Sequence, residues 1–411
     1  MIKTGIDVIQ ISRFSQMKNI DLFKKYAFTL RERQYFNGKK NPFPSIAAAF
    51  AAKEAFAKYM GSGFRGFGPR DVEILHDEVG KPYILFMRNP INADVSLSHS
   101  GDCAVAVVCG EEYHIGRYAD LIKSYRSMLP RRRPSMNKGD CGRVLIIAGS
   151  DGMAGAACLC SQAAIRCGSG LVTLAAPECI QPVAAAKLTE VMTYPLPCCN
   201  KILAEGAAAK LEGKLSSCDA CAIGPGLGKS DGAREVLSAV LQNGAPCVID
   251  ADGLNILAEN TELLQNRKCE VILTPHPGEM ARLTKKTIAE IQDNRSAAAA
   301  ELAAKYRVYV LLKGAGTVIA APDGELHINT SGNSGMASGG MGDVLTGVIA
   351  SLLGQGLSPF NAAALGAFIH GFAGDIAAEE KGEYGLIASD LIEKLPLALK
   401  ELSRGRTAKQ Y

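Results

Sequence analysis

Tryptophan is absent from this 411-residue sequence, 6% of its residues are aromatic, and no apolar run is long enough to cross a membrane. The longest such run, residues 344–353, is interrupted by Gly347. The first residues, Met-Ile-Lys-Thr-Gly-Ile-Asp, contain no apolar segment of the kind found in a secretory signal. We therefore expect no membrane partner and no secretion, and we expect a cytoplasmic protein.

The thirteen cysteines follow no regular spacing, which argues against a framework of disulfide bonds. One Cys-x-x-Cys motif, Cys218 and Cys221, has no second pair at the spacing typical of zinc fingers. Cys221 opens an apolar run, and a free cysteine behaves as a small apolar residue. We interpret the cysteines as buried thiols of a reducing compartment. Metal binding or redox chemistry at this motif is the alternative.

Positive and negative charges are unevenly divided along the chain. Residues 1–135 carry 21 Lys and Arg against 13 Asp and Glu, whereas residues 136–411 carry 24 against 28. A basic first part suits an acidic partner, either phosphate groups or an acidic protein. The alternative is that the excess comes from Arg131, Arg132 and Arg133, which lie in a predicted linker. No nucleic-acid partner is expected.

The length of the chain and the change in its pattern of strand-like and helical segments predict two domains. Residues 1–111 mix short strand-like runs with one helix at 45–60, which indicates an α+β domain. Residues 112–137 read as a linker with its own short helix. Residues 138–400 form the second domain, and residues 401–411 form a tail.

Buried strand-like runs alternate with helices throughout the second domain, which indicates an α/β fold with a mainly parallel sheet covered on both faces. These strands are predicted at residues 144–148, 171–175, 247–249, 271–273 and 308–312. Glycine-rich or polar motifs follow them at residues 149–150, 224–228, 250–255, 274–279 and 313–317. Because ligands gather at the carboxyl ends of parallel strands, we expect an active site along this edge of the sheet.

The most informative motif is the glycine-rich tract at residues 333–343, which precedes an apolar helical run. Glycine lets backbone N–H groups approach an anion, and a helix N-terminus adds partial positive charge. Asp343 ends the tract, where its carboxylate could take a proton from a hydroxyl group beside bound phosphates. The tract is not a Walker A loop, and residues 224–228 do not have the spacing of a dinucleotide fingerprint.

Two carboxylates of the first domain stand in apolar surroundings, Asp7 in a short strand and Glu54 in the helix. Together with pyrophosphate oxygens they would make a site that suits Mg²⁺. Lys58 lies one helical turn after Glu54 and could bind phosphate. Taken singly, Glu54 and Lys58 could instead form a surface ion pair, and His99 could be a structural histidine.

The ordered motifs of the first 110 or so residues resemble holo-[acyl-carrier-protein] synthase, a phosphopantetheinyl transferase family. They are Gly-Ile-Asp at 5–7 with Arg13, the segment 50–58, Gly-Lys-Pro at 80–82 and Ser-Leu-Ser-His at 96–99. The resemblance implies transfer of 4′-phosphopantetheine from coenzyme A to a serine of an acidic apo acyl carrier protein. It further implies Mg²⁺ held by Asp7 and Glu54, and a catalytic role for Glu54 and Lys58. Arg13, Lys58 and His99 would contact coenzyme A or the carrier, and the protein would be a homo-oligomer, since family members form trimers.

The second domain resembles the ADP-dependent NAD(P)H-hydrate dehydratases, which have a ribokinase-like fold. The match rests on Asp-Ala-Asp-Gly-Leu-Asn at 250–255, His-Pro-Gly-Glu at 276–279, Lys-Gly-Ala-Gly-Thr at 313–317 and Gly-Gly-Met-Gly-Asp at 339–343. The resemblance implies that ADP phosphorylates hydrated NADH or NADPH, and that phosphate elimination then restores the nicotinamide ring. Asp343 would be the catalytic base. The hydrate would be bound by Ala156, Gly226, His276 and Asp343, and the ADP or AMP portion by Lys313, Gly314, Ala315, Gly316, Thr317 and Gly342.

One departure from the family pattern is that no epimerase domain is visible ahead of the dehydratase-like region. Two other functions stay open. The second domain could be a small-molecule kinase acting on a vitamin precursor, and the first could be a non-catalytic docking or oligomerisation module.

Overall fold

The computed structural model describes residues 2–61, 63–64, 67–86, 89–91, 93–111 and 115–403. The chain forms two compact units, the first ending at Tyr118 and the second running from Ala119 to Ser403. Residues 112–114 of the predicted linker and 404–411 of the predicted tail lie outside the described residues. The boundary between the units falls within a helix, Ile115–Arg126, so the linker bounds of 112–137 stay a proposal.

The first unit is an α+β structure built around one long helix, as predicted. Its strands are β1 (Ile2–Gln10), β2 (Val72–His76), β3 (Pro82–Phe86), β4 (Asn89–Pro90), β5 (Ala93–Ser100) and β6 (Cys103–Glu111). Its helices are α1 (Ser12–Ser15), α2 (Ile20–Ala27), α3 (Leu30–Asn37) and α4 (Phe43–Tyr59). Strands β1, β6 and β5 form one antiparallel sheet in that order, and β2, β3 and β4 form another.

Helix α4 packs directly on β1 and β6 because its alanine-rich sequence leaves small side chains on most of its surface. Gly5 makes the closest approach possible, since a Cβ atom there would lie 1.9 Å from the carbonyl oxygen of Ala55. Asp7 and Ile9 point toward the helix, whereas Ile6 and Val8 point away from it, because side chains alternate along a strand. Ile9 is accordingly buried, and Ile6 and Val8 are 52% and 57% exposed.

A buried ion pair ties α4 to two other elements of this unit. The Lys53 ammonium donates to the Glu32 carboxylate at 2.9 Å and to the carbonyl oxygens of Pro69 and Val72. The Glu32 carboxylate also accepts the backbone N–H groups of Thr29 and Ile74. Both side chains are fully buried, so each charge depends on the other for compensation.

We expect Lys53→Met to destabilise the first unit by about 3–5 kcal/mol, because it leaves the Glu32 carboxylate buried without its counter-charge. Hydrogen exchange of α4 peptides across a denaturant titration would measure this, since the chain has no tryptophan fluorescence. Lys25→Met removes an exposed lysine and serves as the control. Equal stability of the two variants would contradict the prediction.

The second unit begins within α5 (Ile115–Arg126). Its further helices are α6 (Ala154–Arg166), α7 (Gln181–Lys187), α8 (Ala207–Leu215), α9 (Asp231–Gln242), α10 (Ala251–Glu259), α11 (Pro277–Thr284), α12 (Ile288–Asp293), α13 (Arg295–Tyr306), α14 (Met341–Gly354), α15 (Pro359–Lys381) and α16 (Ala388–Ser403). Its strands are β7 (Arg143–Ile147), β8 (Leu171–Pro177), β9 (Met192–Leu196), β10 (Cys198–Cys199), β11 (Ile202–Leu203), β12 (Ala220–Ile223), β13 (Cys247–Ile249), β14 (Val271–Leu273), β15 (Tyr309–Leu312), β16 (Thr317–Ala320) and β17 (Leu326–Asn329).

Within the continuously described residues 115–403, nine strands form one sheet in the order β17-β16-β15-β14-β13-β12-β7-β8-β9. Neighbours from β15 to β9 run parallel, and β16 and β17 add an antiparallel edge. Helices α6, α14, α15 and α16 pack together over one face, and α8, α9, α10, α11 and α13 contribute to the core on the other. The predicted α/β architecture with a mainly parallel sheet is confirmed.

Residues of the predicted linker are part of the second unit. The Tyr125 ring of α5 stacks on Phe368 at 4.5 Å between centroids, and its hydroxyl lies 2.5 Å from the His327 ring nitrogen Nε2. Burial raises the pKa of Tyr125 to about 12, so the phenol stays protonated in its hydrogen bond with His327. The end of α5 is therefore anchored to β17 and α15. Among the described residues, no helix is both long enough and apolar enough to span a bilayer.

Candidate active sites

The glycine tract of the second unit opens α14 at the carboxyl edge of the sheet. Gly340 immediately precedes the helix with φ of +90°, a conformation that glycine adopts without the steric cost of a side chain. Gly342 lies in the first turn, and a Cβ atom there would lie 3.4 Å from the Lys313 ammonium nitrogen. The helix N-terminus and a lysine cation therefore meet at one point, which suits an anion.

A network of charged and polar groups lies beneath this helix start. The Lys313 ammonium contacts Asp250 Oδ1 at 2.6 Å and Glu279 Oε2 at 3.8 Å. Asp250 Oδ2 accepts a hydrogen bond of 2.7 Å from the Thr346 hydroxyl. Burial alone would lower the pKa of Lys313, but the carboxylates of Asp250 and Glu279 outweigh it and raise that pKa. Lys313 is therefore a fixed cation.

Asp343 faces this network from the first turn of α14. Burial, reinforced by the negative charge of Asp250, raises the pKa of Asp343 to about 6, although Lys313 opposes the effect. A carboxylate with such a pKa is ionised at neutral pH and is still basic enough to accept a proton. The geometry therefore supports the predicted role of Asp343 as a base, a role that stays a prediction.

His276 and Glu279 form a reciprocal cap at the start of α11. His276 Nδ1 accepts the N–H of Gly278 at 3.0 Å, and Glu279 Oε2 accepts the N–H of His276 at 2.8 Å. Burial lowers the pKa of His276, and the nearby Lys313 lowers it further. The neutral ring then carries its proton on Nε2, which lies 3.5 Å from Glu279 Oε1.

A cavity of about 950 Å³ opens beside these residues, large enough for a nucleotide. Every residue predicted to hold ADP or AMP lines it: Lys313, Gly314, Ala315, Gly316, Thr317 and Gly342. His276 also lines it, as do residues 329–334 and His370. The structure therefore brings the predicted nucleotide-binding residues to one cavity.

Ala156 and Gly226, predicted to bind the hydrate, lie elsewhere on the same edge of the sheet. A Cβ atom on Gly226 would lie 3.1 Å from Ala156 Cβ, so the two residues adjoin each other. They follow β7 and β12, the neighbouring strands between which the strand order reverses, and such a point is a preferred place for ligands. Gly228 N–H donates to Asp252 Oδ2 at 2.8 Å, which ties this loop to the next one.

Four side chains of this site carried no individual role in the sequence reasoning: Asp250, Glu279, Thr346 and His370. Asp250 and Glu279 belong to the motifs at residues 250–255 and 276–279, and charged residues that follow buried strands could have marked them as site residues. Thr346 and His370 lie within apolar helices, where no local pattern marks them. His370 Nε2 donates to the Met341 carbonyl at 2.9 Å, and burial lowers its pKa to about 4, so it is a neutral donor.

Asp7, Glu54 and Lys58 meet where β1 crosses α4 in the first unit. Lys58 donates to Asp7 Oδ1 at 2.8 Å and to the Ile6 carbonyl at 3.0 Å, so its ion pair is with Asp7 rather than with Glu54. Burial raises the pKa of Glu54, and the charge of Asp7 raises it further, while Lys58 and Arg13 lower it. The raised pKa of Glu54 beside the Asp7 carboxylate is a situation that a bound cation would relieve.

His99 lies on the same face of the sheet as Asp7. Asp7 pairs with Ala106 and Ala106 pairs with Leu97, two residues before His99 on β5. The imidazole is exposed and two strands away from the carboxylates. Its predicted contact with coenzyme A stays a prediction.

Comparison with protein families finds a match for each half of the chain. Residues 144–397 match the NAD(P)H-hydrate dehydratase family model. The chain belongs to this family. Residues 3–116 match the 4′-phosphopantetheinyl transferase superfamily, so the predicted fusion of the two families is confirmed.

Two curated proteins are similar in sequence to the dehydratase region. The bifunctional NAD(P)H-hydrate repair enzyme Nnr of Moorella thermoacetica is 48% identical over 279 residues, 67% of this chain and 53% of that protein. The ADP-dependent (S)-NAD(P)H-hydrate dehydratase of Neisseria meningitidis serogroup B is 38% identical over 266 residues, 63% of this chain and 86% of its own. The chain thus spans about half the length of the Nnr relative.

A solved relative has the same fold in this region. The Bacillus subtilis ADP/ATP-dependent NAD(P)H-hydrate dehydratase, co-crystallised with ATP and Mg²⁺, is 32% identical with a TM-score of 0.59. The match covers 68% of this chain and 97% of that one.

Proposed function

We propose that the second unit dehydrates hydrated NADH or NADPH with ADP as the phosphoryl donor. The observation that carries this proposal is the start of α14, where Lys313 and Gly342 line a nucleotide-sized cavity. The neighbouring Asp343 is buried close enough to Lys313 and Asp250 for their charges to act on its pKa. The Nnr and Neisseria relatives, whose names include this activity, support the choice of substrate.

The reaction would use these groups in two steps. Asp343 takes the proton of the C6 hydroxyl as that oxygen attacks the β-phosphorus of ADP, and the bond to AMP breaks. Backbone N–H groups of residues 340–342 and the Lys313 cation stabilise the charge on the phosphoryl oxygens. Elimination of phosphate then restores the dihydronicotinamide ring.

The test is to incubate the full chain with hydrated NADH and ADP. We expect AMP, phosphate and NADH to appear in equal amounts as the hydrate disappears. The competing function is a kinase for a vitamin precursor. Phosphorylation of such a precursor, with no AMP formed from ADP and the hydrate, would favour the kinase and reject the dehydratase.

The pH profile of dehydration should show an acid limb near pH 6. Asp343 acts as a base only when ionised, and its pKa is raised to about 6, so kcat/KM should rise with pH through that value and then level off. The ADP phosphate itself titrates at about pH 6. Asp343→Glu is therefore the control. If Asp343 is the base, the pH at the midpoint of the acid limb should change in this variant. An unchanged midpoint would contradict the assignment of the limb to Asp343.

We also propose that the first unit transfers 4′-phosphopantetheine from coenzyme A to a serine of apo acyl carrier protein. The supporting observation is the pair of carboxylates, Asp7 and Glu54, beside the Lys58 cation. Their hard oxygen atoms fit Mg²⁺. The described residues contain no cluster of three His, Cys, Asp or Glu able to hold a metal, so waters and phosphate oxygens would complete its shell.

Mg²⁺, when bound, offsets charge on the pyrophosphate of coenzyme A. Lys58 is placed to bind a phosphate oxygen when it leaves Asp7, and the exposed Arg13 is placed to meet an acidic carrier.

We further propose a cytoplasmic homo-oligomer serving fatty acid biosynthesis. The exposed Ile6 and Val8 on the sheet face opposite α4 support self-association.

A carrier-protein assay tests this second activity. With coenzyme A, Mg²⁺ and apo acyl carrier protein, we expect the carrier to gain the mass of one phosphopantetheine group per serine. A carrier that binds the chain but stays unmodified would instead indicate a docking module.

A further inference from the structure

The Cys-x-x-Cys motif brings two thiols into contact at the amino-terminal edge of the large sheet, opposite the proposed active site. Cys218 Sγ and Cys221 Sγ are 3.2 Å apart. Cys221 lies in β12, and the active-site motifs follow the other end of the same layer of strands. The two sulfurs are close enough that a disulfide requires small movements of the side chains.

The two thiols differ in access to solvent. Cys221 is fully buried, whereas Cys218 is half-buried and lines a pocket of about 240 Å³. Lys214 and Thr173 line the same pocket. A molecule of a few atoms can therefore reach Cys218 and cannot reach Cys221 directly.

The surroundings also shift the pKa values of the two thiols in opposite directions. The hydrogen bond from the Cys221 thiol lowers the pKa of Cys218, against the opposing effect of burial. Cys218 is therefore the first of the two thiols to lose its proton as pH rises, whereas the hydrogen bond and burial raise the pKa of Cys221. The thiolate is the reactive form of cysteine, so Cys218 is the sulfur placed to attack.

We propose that Cys218 and Cys221 form a redox-active dithiol that a small hydroperoxide oxidises to an intramolecular disulfide. The Cys218 thiolate attacks the peroxide oxygen, the O–O bond breaks, and the released oxygen takes a proton and leaves as water or an alcohol. Cys221 sulfur then attacks the resulting sulfenic acid. The S–S bond forms, the S–O bond breaks, and the hydroxyl leaves as water with the Cys221 proton.

Peptide mass spectrometry of the full chain tests this directly. Trypsin releases residues 215–229, which contain both of these cysteines and no others. The folded chain is treated with hydrogen peroxide and is then unfolded for alkylation, so that buried thiols also react. We expect this peptide to lose two hydrogens and to escape alkylation, and dithiothreitol should reverse both changes. The exposed Cys103 serves as the comparator, and we expect Cys218 to react about tenfold faster because its thiolate is favoured.

Cys218→Ser is the matched variant, since this side chain is only half-buried. In it we expect Cys221 to stay alkylatable under the same peroxide treatment. The proposal fails if peptide 215–229 stays reduced when Cys103 is oxidised, or if Cys218 proceeds to sulfinic acid while Cys221 remains free. It also fails if Cys221 is oxidised as fast in the Cys218→Ser variant as in the original chain.

Discussion

Asp343→Asn is expected to lower the rate of NAD(P)H-hydrate dehydration by about 10²–10⁴-fold, the usual effect of removing a positioned general base. The amide has nearly the same shape as the carboxylate but cannot accept the hydroxyl proton. The Asp250–Lys313 ion pair and the Thr346 hydrogen bond do not involve Asp343 and should survive the change. The loss should therefore appear in kcat more than in KM.

Production of AMP and NADH under saturating ADP measures this effect. Asp231→Asn is the matched control, because Asp231 also lies in the first turn of a helix but is exposed and pairs with Arg234. That variant should keep its full rate. Turnover of the Asp343→Asn variant within a few-fold of the original would remove Asp343 from its role.

Glu54→Gln is expected to lower phosphopantetheine transfer by at least about 10²-fold. Losing one carboxylate weakens the binding of Mg²⁺, which stabilises the charged transition state by several kcal/mol. Each 1.36 kcal/mol added to the barrier lowers the rate about tenfold. The raised pKa of Glu54 indicates that burial, and then the charge of Asp7, oppose its ionisation, which is the situation a bound cation relieves. The fold should tolerate the change because the side chain is half-buried.

The carrier-protein mass assay, run across a range of Mg²⁺ concentrations, separates metal binding from folding. If Glu54 binds metal, high Mg²⁺ should restore part of the lost rate. Glu78→Gln, at an exposed turn of the same unit, should behave like the original chain. Unchanged transfer by the Glu54→Gln variant at low Mg²⁺ would remove Glu54 from the metal site.

Most secondary structure was predictable because its signals are local. The predicted helix 45–60 is observed as Phe43–Tyr59, and the predicted strands 247–249 and 271–273 are observed as Cys247–Ile249 and Val271–Leu273. Buried parallel strands are continuous apolar runs, and glycine or proline marks their ends. The glycine tract at 333–343 was informative for the same reason, since its composition suits close backbone approach to an anion.

Predictions were weaker where a residue's role depends on distant parts of the chain. Lys58 pairs with Asp7, 51 residues away, and not with Glu54, its neighbour on the helix. The stacking of Tyr125 on Phe368, a residue far along the chain, likewise could not be predicted from the local sequence.

Strand and helix order, the parallel sheet and the families to which the two halves are related all follow from periodicity and motifs, since these depend on neighbouring residues. The ion pair of Lys313 with Asp250, the raised pKa of Asp343 and the contact between Cys218 and Cys221 arise from folding. Burial and charge act through space, and the groups that exert them on Asp343 lie 30 and 93 positions earlier in the chain, where only the packed sheet brings them within reach.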